Sequence, residues 1–202
     1  MALRLVERSS TPVVPLEEFV AHVRREDTLE DDALLRRFLD AATIWAENFT
    51  GLALVDQTWD YYVDAFPTDV RFIKIPRPPL LYIDGVFYRP TSSTSESSFS
   101  DYYTDIASQP GQIFLGSAAS WPSSVDASAS SVRIRFRAGY FDESSSPVEI
   151  GKIPEDIKVA IQIYAATLYE NREATITGTM ISTVPWSAEQ LLRMYRVENS
   201  MA

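Results

Sequence analysis

The chain has no cysteine, a single histidine and fewer basic than acidic side chains. Without cysteine there is no disulfide, no thiolate zinc site and no cysteine nucleophile. That absence fits a cytosolic origin. Lysine and arginine number 18 against 28 aspartates and glutamates, a formal net charge of -10. The sequence pI is near 4.6. Binding a phosphate backbone needs a basic footprint, so nucleic acid as a gripped ligand is disfavoured. A surface that DNA passes without adhering remains compatible with this charge. No stretch approaches the roughly 20 apolar residues of a membrane span. The opening MALRLVERSS lacks the apolar core of a signal peptide. A soluble chain without membrane contact is expected.

Catalytic patterns are missing too. His22, the only histidine, lies in a short amphipathic segment with no serine or acid at a motif spacing, and reads as an exposed or capping side chain. There is no nucleophile elbow, phosphate loop, zinc-metalloprotease motif or EF-hand loop. Glu26, Asp27, Glu30, Asp31 and Asp32 cluster, but not at calcium-loop spacing, and the last two sit where a helix start favours negative charge. No catalytic residue, metal or cofactor is expected.

What is present divides by periodicity. With 202 residues and 46% hydrophobic side chains, the chain has material for one sizeable core or for one domain with an insertion. Residues 1–15 read as an extended arm, because Pro12 and Pro15 disfavour helix before them. Leu16, Phe19, Val20 and Val23 keep helical spacing over 16–25. A second helix follows an N-cap at Thr28 and runs to about 49, with Leu34, Leu35, Phe38, Ala41, Ala42, Trp45 and Phe49 on its buried side. Gly51 stops it.

From 54 to 140 short alternating runs are punctuated by Pro, Gly and Ser, which predicts strands at 57–65, 70–75, 81–88, 101–105, 111–115 and 132–137. Serine-rich stretches at 91–98 and 116–131 read as mobile surface loops. A polar linker, FDESSSPVEIGKI, follows. Residues 154–173 form a third helix, with Pro154 at its start and Glu155 and Asp156 against the positive end of its dipole. Its apolar residues fall into two stripes: Ile157, Ile161, Tyr164 and Leu168, and Val159, Ile163 and Ala166. Two apolar faces mean burial on two sides, either in the core of one chain or between neighbours. The Thr- and Gly-rich segment 174–184 reads as an ordered loop or a hairpin. A fourth helix follows an N-cap at Ser187, with Leu191, Leu192 and Tyr195 on one face.

The fold class expected is α+β: a bundle of two N-terminal and two C-terminal helices with an inserted antiparallel β-domain. The parts are 1–53, 54–140 and 141–202, and the outer two meet in space.

Two features suggest contacts. Arg133, Arg135 and Arg137 alternate with Val132, Ile134 and Phe136, so the arginines share one strand face. That face is either solvated and paired with carboxylates such as Asp60 and Asp64, or a contact to an acidic partner. Trp121 and Trp186 each sit beside proline in a predicted loop and are candidate interface anchors.

With these residues in view, the chain resembles the head–tail connector (adaptor) proteins of long-tailed bacteriophages, in the variant with a β insertion between its helical halves; related proteins occur in prophages and gene-transfer particles. The resemblance spans nearly the whole chain. It rests on the run from Ala160 to Tyr169-Glu170-Asn171-Arg172-Glu173, on Leu191-Leu192 with Tyr195-Arg196, and on Glu47-Asn48-Phe49-Thr50-Gly51. Phe66-Pro67, Pro76-Arg77-Pro78-Pro79-Leu80, Pro110-Gly111, Trp121-Pro122 and Ala138-Gly139-Tyr140 stand in the matching order. The serine-rich loops and the FDESSS linker depart from the pattern.

The resemblance implies a structural virion protein, assembled in the host cytoplasm. It would form a homo-oligomeric, usually dodecameric, ring below the portal protein, extend the DNA channel and meet a stopper or tail-completion protein. It directs the second stripe, Val159, Ile163 and Ala166 with Glu170 and Arg172, to a subunit interface. It directs residues 187–202, with Leu191, Leu192, Tyr195 and Arg196, to the portal. The alternative is a β-rich glycan-binding module of a phage particle, with its site near Trp121.

Overall fold

The computed structural model describes residues 1–24, 32–142, 149–150, 153–171 and 185–197. Thr28, Arg172, the segment 174–184 and the end of the chain lie outside the described residues. So do four of the five clustered acids, Asp32 alone being described. The described chain is mixed α+β, with four helices and antiparallel sheets. Strand β1 (Ala2–Arg8) comes first, followed by α1 (Leu16–His22) and α2 (Asp32–Thr50). The strands β2 (Gln57–Val63), β3 (Phe72–Lys74), β4 (Leu80–Tyr88), β5 (Ser97–Phe99) and β6 (Tyr102–Asp105) follow. Next come β7 (Gln112–Leu115), β8 (Val132–Ala138) and the two-residue strands β9 (Phe141–Asp142) and β10 (Glu149–Ile150). Helices α3 (Glu155–Glu170) and α4 (Trp186–Arg193) close the described chain. The described residues form two compact units, one from 1–9, 55–142 and 149, the other from 10–24, 32–54, 150, 153–171 and 185–197.

In the sheet unit, the five-stranded sheet has the order β1-β2-β8-β4-β5 and the three-stranded sheet β3-β7-β6. The arm is therefore an edge strand, with Ala2 opposite Tyr62 and Arg8 opposite Gln57, and a register shift between Leu5 and Glu7. Bulged, charged edges resist unwanted strand pairing. β8 is central. Its alternation sends Val132, Ile134, Phe136 and Ala138 into the core, and the arginines between them to the other face. Ile73, Ile113 and Leu115 are the buried side chains of the smaller sheet. After β8 the chain turns at Gly139, whose φ of 135° suits glycine. A Cβ there would collide with the Val55 carbonyl.

The serine-rich stretches are less loose than their composition predicts. Ser97 and Ser98 of the first join Phe99 in β5, which pairs with Val86–Tyr88 of β4. The second is pinned by Trp121, which stacks on Phe66 at 5.1 Å and 8° and touches Phe99 at 5.6 Å. Its indole N–H donates to the Val70 carbonyl at 3.1 Å.

In the helical unit, α2 packs on α3, and α3 on α4. α2 buries Leu35, Leu39, Ala42, Thr43, Ala46, Glu47 and Thr50. The expected stripe was turned slightly: Ala41 is exposed and Leu39 takes the inner position. Several helices line α2, so its buried face is wide enough to reach Thr43 and Glu47. Glu47 stays inside because its Oε1 accepts the Leu54 N–H at 3.0 Å. The helix ends as the glycine predicts: Gly51 has φ 78° and its N–H closes on the Glu47 carbonyl at 2.9 Å. At α4 the cap differs from expectation. Pro185 precedes the first turn, Ser187 lies within it, and no side chain caps the helix. No helix among the described residues is long and apolar enough to cross a membrane.

Phe136 is fully buried on the central strand. Phe136→Ala is expected to destabilise the sheet unit by about 3–5 kcal/mol, read as a lowered denaturation midpoint with an unchanged helical far-UV signal before the transition.

Candidate functional site

The residues singled out by sequence fall into three places. The first is the outer face of β8. Arg135 lies opposite Asp60 across β2 and β8, and its Nε and Nη2 each donate to the Asp60 carboxylate at 2.8 Å. Arg133 reaches the same carboxylate at 3.4 Å and also binds Glu96. Arg137 binds Asp56 and donates to the Tyr82 hydroxyl at 2.9 Å. Arg133 additionally lies over the Phe87 ring, 4.3 Å from its centroid. All three arginines thus have carboxylate partners within the chain, so this face does not offer bare cations to an acidic partner. Asp60 is one of the two carboxylates the strand pattern suggests as arginine partners. Asp64 instead accepts the Ser130 N–H at 2.9 Å. Neither Glu96 nor Asp56 carries a local sequence signal; only strand register brings them to β8.

Asp60 is buried, with 3% of its surface exposed. The hydrogen bonds from Arg135 hold its carboxyl below the ordinary carboxylate range, against burial, which pushes it up. Glu96 is lowered likewise, first by its hydrogen bond from Arg133.

The second place is around the two tryptophans, which the structure separates. Trp121 is half-buried and stacked inside an aromatic cluster, so it is a staple for its own loop. Trp186, at the start of α4, is 72% exposed.

The third place is the helical unit. Ile157, Ala160, Ile161 and Ala165 of α3 are buried, and Tyr164 packs its ring on Trp45 at 4.6 Å. The opposite stripe is not closed over: Val159 is 40% exposed, Ile163 and Ala166 are half-buried and Glu170 is exposed. On α4, Leu192 is fully buried. It therefore holds α4 to its own unit, which is the physical reason against its use in docking a partner. Leu191 is half-buried and Arg196 exposed. Tyr195 donates its hydroxyl to Asp156 at 3.2 Å, and Arg196 lies over Phe49, 5.8 Å from the ring centroid. Met194 is 73% exposed. A methionine just past a helix end gives no periodic signal. Among the described residues, no group of three or more His, Cys, Asp or Glu is placed to hold a metal ion.

These are surfaces and staples. The fold gives them a context. A chain from the neck of an empty gene transfer agent particle, computed with C6 symmetry, superposes with a TM-score of 0.72 at 22% identity, covering 97% of this chain and 95% of that one. A chain from the virion of a native gene transfer agent particle gives 0.71 at 21% identity, with the same coverage of 97% and 95%. A chain from the neck of the native particle, computed with C12 symmetry, gives 0.68 at 21% over 97% and 95%. The near-complete coverage on both sides means that both units, as a set, recur in those particle chains. No protein-family model matches the sequence, and no curated protein matches it.

The pairing at Asp60 yields a signed pH dependence. A carboxyl whose folded pKa is depressed stabilises the fold above its unfolded pKa and loses that contribution as pH falls through the folded value. The sheet unit is therefore expected to weaken below about pH 4. Asp60→Asn is expected to cost about 1–3 kcal/mol at pH 7, since it strips the charge that pairs two arginines. It is also expected to flatten the profile below pH 4. Urea midpoints at a series of pH values read both effects, and a variant profile as steep as the parent's would contradict the assignment.

Proposed function

We propose that this chain is a structural protein of a phage-like particle: a head–tail adaptor that forms a ring in the neck, below the portal, and extends the DNA channel toward the tail. The observation that carries the reading is the match to particle neck chains over 97% of this chain and 95% of the neighbour's. The cyclic symmetry of those particles supports a ring of copies. The net charge of -10 supports a channel whose wall repels DNA and lets it slide.

Within that reading, Val159, Ile163, Ala166 and Glu170 of α3 belong to the interface between copies. The exposed part of α4, with Trp186, Met194 and Arg196, belongs to the portal contact. A stopper or tail-completion protein meets the ring on its far side. The glycan-binding alternative has less to stand on, because the ring of Trp121 is stacked on Phe66 instead of presented to a sugar.

The test is genetic and biochemical. Particles produced without this chain are expected to have filled or fillable heads and separate tails, seen by negative-stain electron microscopy. Restoring the chain is expected to restore joined particles. Normal head–tail joining in its absence would contradict the proposal.

A further inference from the structure

The α3 stripe needs a counterpart on the neighbouring copy, and the helical unit carries one. On α2 the residues facing away from the buried side include Arg37, Ala41 and Ile44, spaced by four and three residues and so aligned on one face. All three are exposed, Ile44 at 46%. A lone exposed isoleucine is ordinary on a protein surface; Ile44 matters here because Ala41 and Arg37 continue its row. On α3, Ile163, Ala166 and Glu170 are spaced by three and four. The two patterns are mirror sequences of one another. Laid antiparallel, they pair Ile44 with Ile163, Ala41 with Ala166 and Arg37 with Glu170. Apolar meets apolar, two small residues let the helices approach, and opposite charges meet at the end. Neither Arg37 nor Glu170 has an ion-pair partner among the described residues.

The antiparallel sense is already set within one chain. The C-terminal end of α2 and the N-terminal end of α3 meet at residues 195–197: Val197 N–H donates to the Thr50 carbonyl at 2.8 Å, and the Tyr195 hydroxyl to Asp156 at 3.2 Å. The Trp45–Tyr164 contact at 4.6 Å sets the height of one helix against the other. The intermolecular pairing proposed differs from that height by two residues, about 3 Å. A tilt of the helices from the ring axis would supply that shift. Each stripe faces away from the buried residues of its own helix. A contact between two different surfaces of this kind is head-to-tail, and closes into a ring where its rotation closes.

We infer that the outer stripe of α2 in one copy receives the Ile163–Ala166–Glu170 stripe of α3 in the next, with Arg37 paired to Glu170 across the interface. This rests on the ring reading above and adds which two surfaces meet.

The absence of cysteine makes the test clean. In the double variant Ile44→Cys with Ile163→Cys, the two new thiols sit on outer faces of helices whose axes lie about 8–10 Å apart. That is too far for a disulfide within one chain, which needs Cβ atoms about 3.5–4.5 Å apart. Mild oxidation of the assembled oligomer, in solution or in particles, is expected to give a ladder of covalent dimers, trimers and larger species on a denaturing gel. Each single-cysteine variant is expected to give no ladder. Arg37→Glu and Glu170→Arg are each expected to raise the concentration needed for assembly about tenfold, and the double reversal to restore it. Both side chains are exposed, so the variants keep their fold, which circular dichroism checks.

An oligomer that forms normally but shows neither ladder nor charge rescue overturns this interface and leaves the ring standing. Cross-linking that stops at dimers overturns the head-to-tail arrangement. A chain that is monomeric in solution and absent from particles overturns both readings.

Discussion

Helix α3 carries two apolar faces, and the helical unit is arranged around that constraint. One face is filled by α2 and α4: Ile157 and Ile161 are fully buried, each contributing about 1.5–3 kcal/mol by leaving water. Trp45 closes over Tyr164 on the same side. The other face begins at Val159, still 40% exposed. A surface helix of a free-standing domain normally shows water a polar face. Here the stripe that should be polar is valine, isoleucine and alanine, and the balance of charge is displaced to its end at Glu170.

The sheet unit solves a different problem. A strand with three arginines on one face would repel itself if they were left bare. Asp60, Asp56 and Glu96 neutralise them from three neighbouring segments, and two of the arginines also rest over aromatic rings of β4. The ladder thereby crosslinks β2, β8 and β4 on the face away from the core. The aromatic cluster of Phe66, Phe99 and Trp121 does the same for the long serine-rich stretches. Such staples let composition suited to a loop be held in place without a core of its own.

Much of this was legible in sequence, for physical reasons that vary by element. Six strands were read within a few residues of their observed bounds, because a half-buried strand alternates visibly and β8 does so perfectly. β1 and β5 were not read as strands. β1 is an exposed edge whose residues need not alternate, and β5 is three residues of a serine run held by backbone pairing to β4. α2 and α3 were clear from periodicity, yet Ala41 and Leu39 were exchanged, since a helix touching several partners buries more than one stripe. Two apolar stripes on α3 were visible as residues, and whether the second faced a core or a neighbour was not, because periodicity counts faces without naming what covers them. Trp121 gives no sequence sign of its stapling role: its partners Phe66 and Phe99 lie 55 and 22 positions away, and no local pattern announces them.

The most direct measurement is the position of this chain in an assembled particle, by electron microscopy of particles carrying a small tag on it. The account predicts density from the tag at the head–tail junction, repeated as a closed ring around the DNA path. Density on the capsid shell, along the tail or at a fibre tip, or a single copy at the junction, would contradict it.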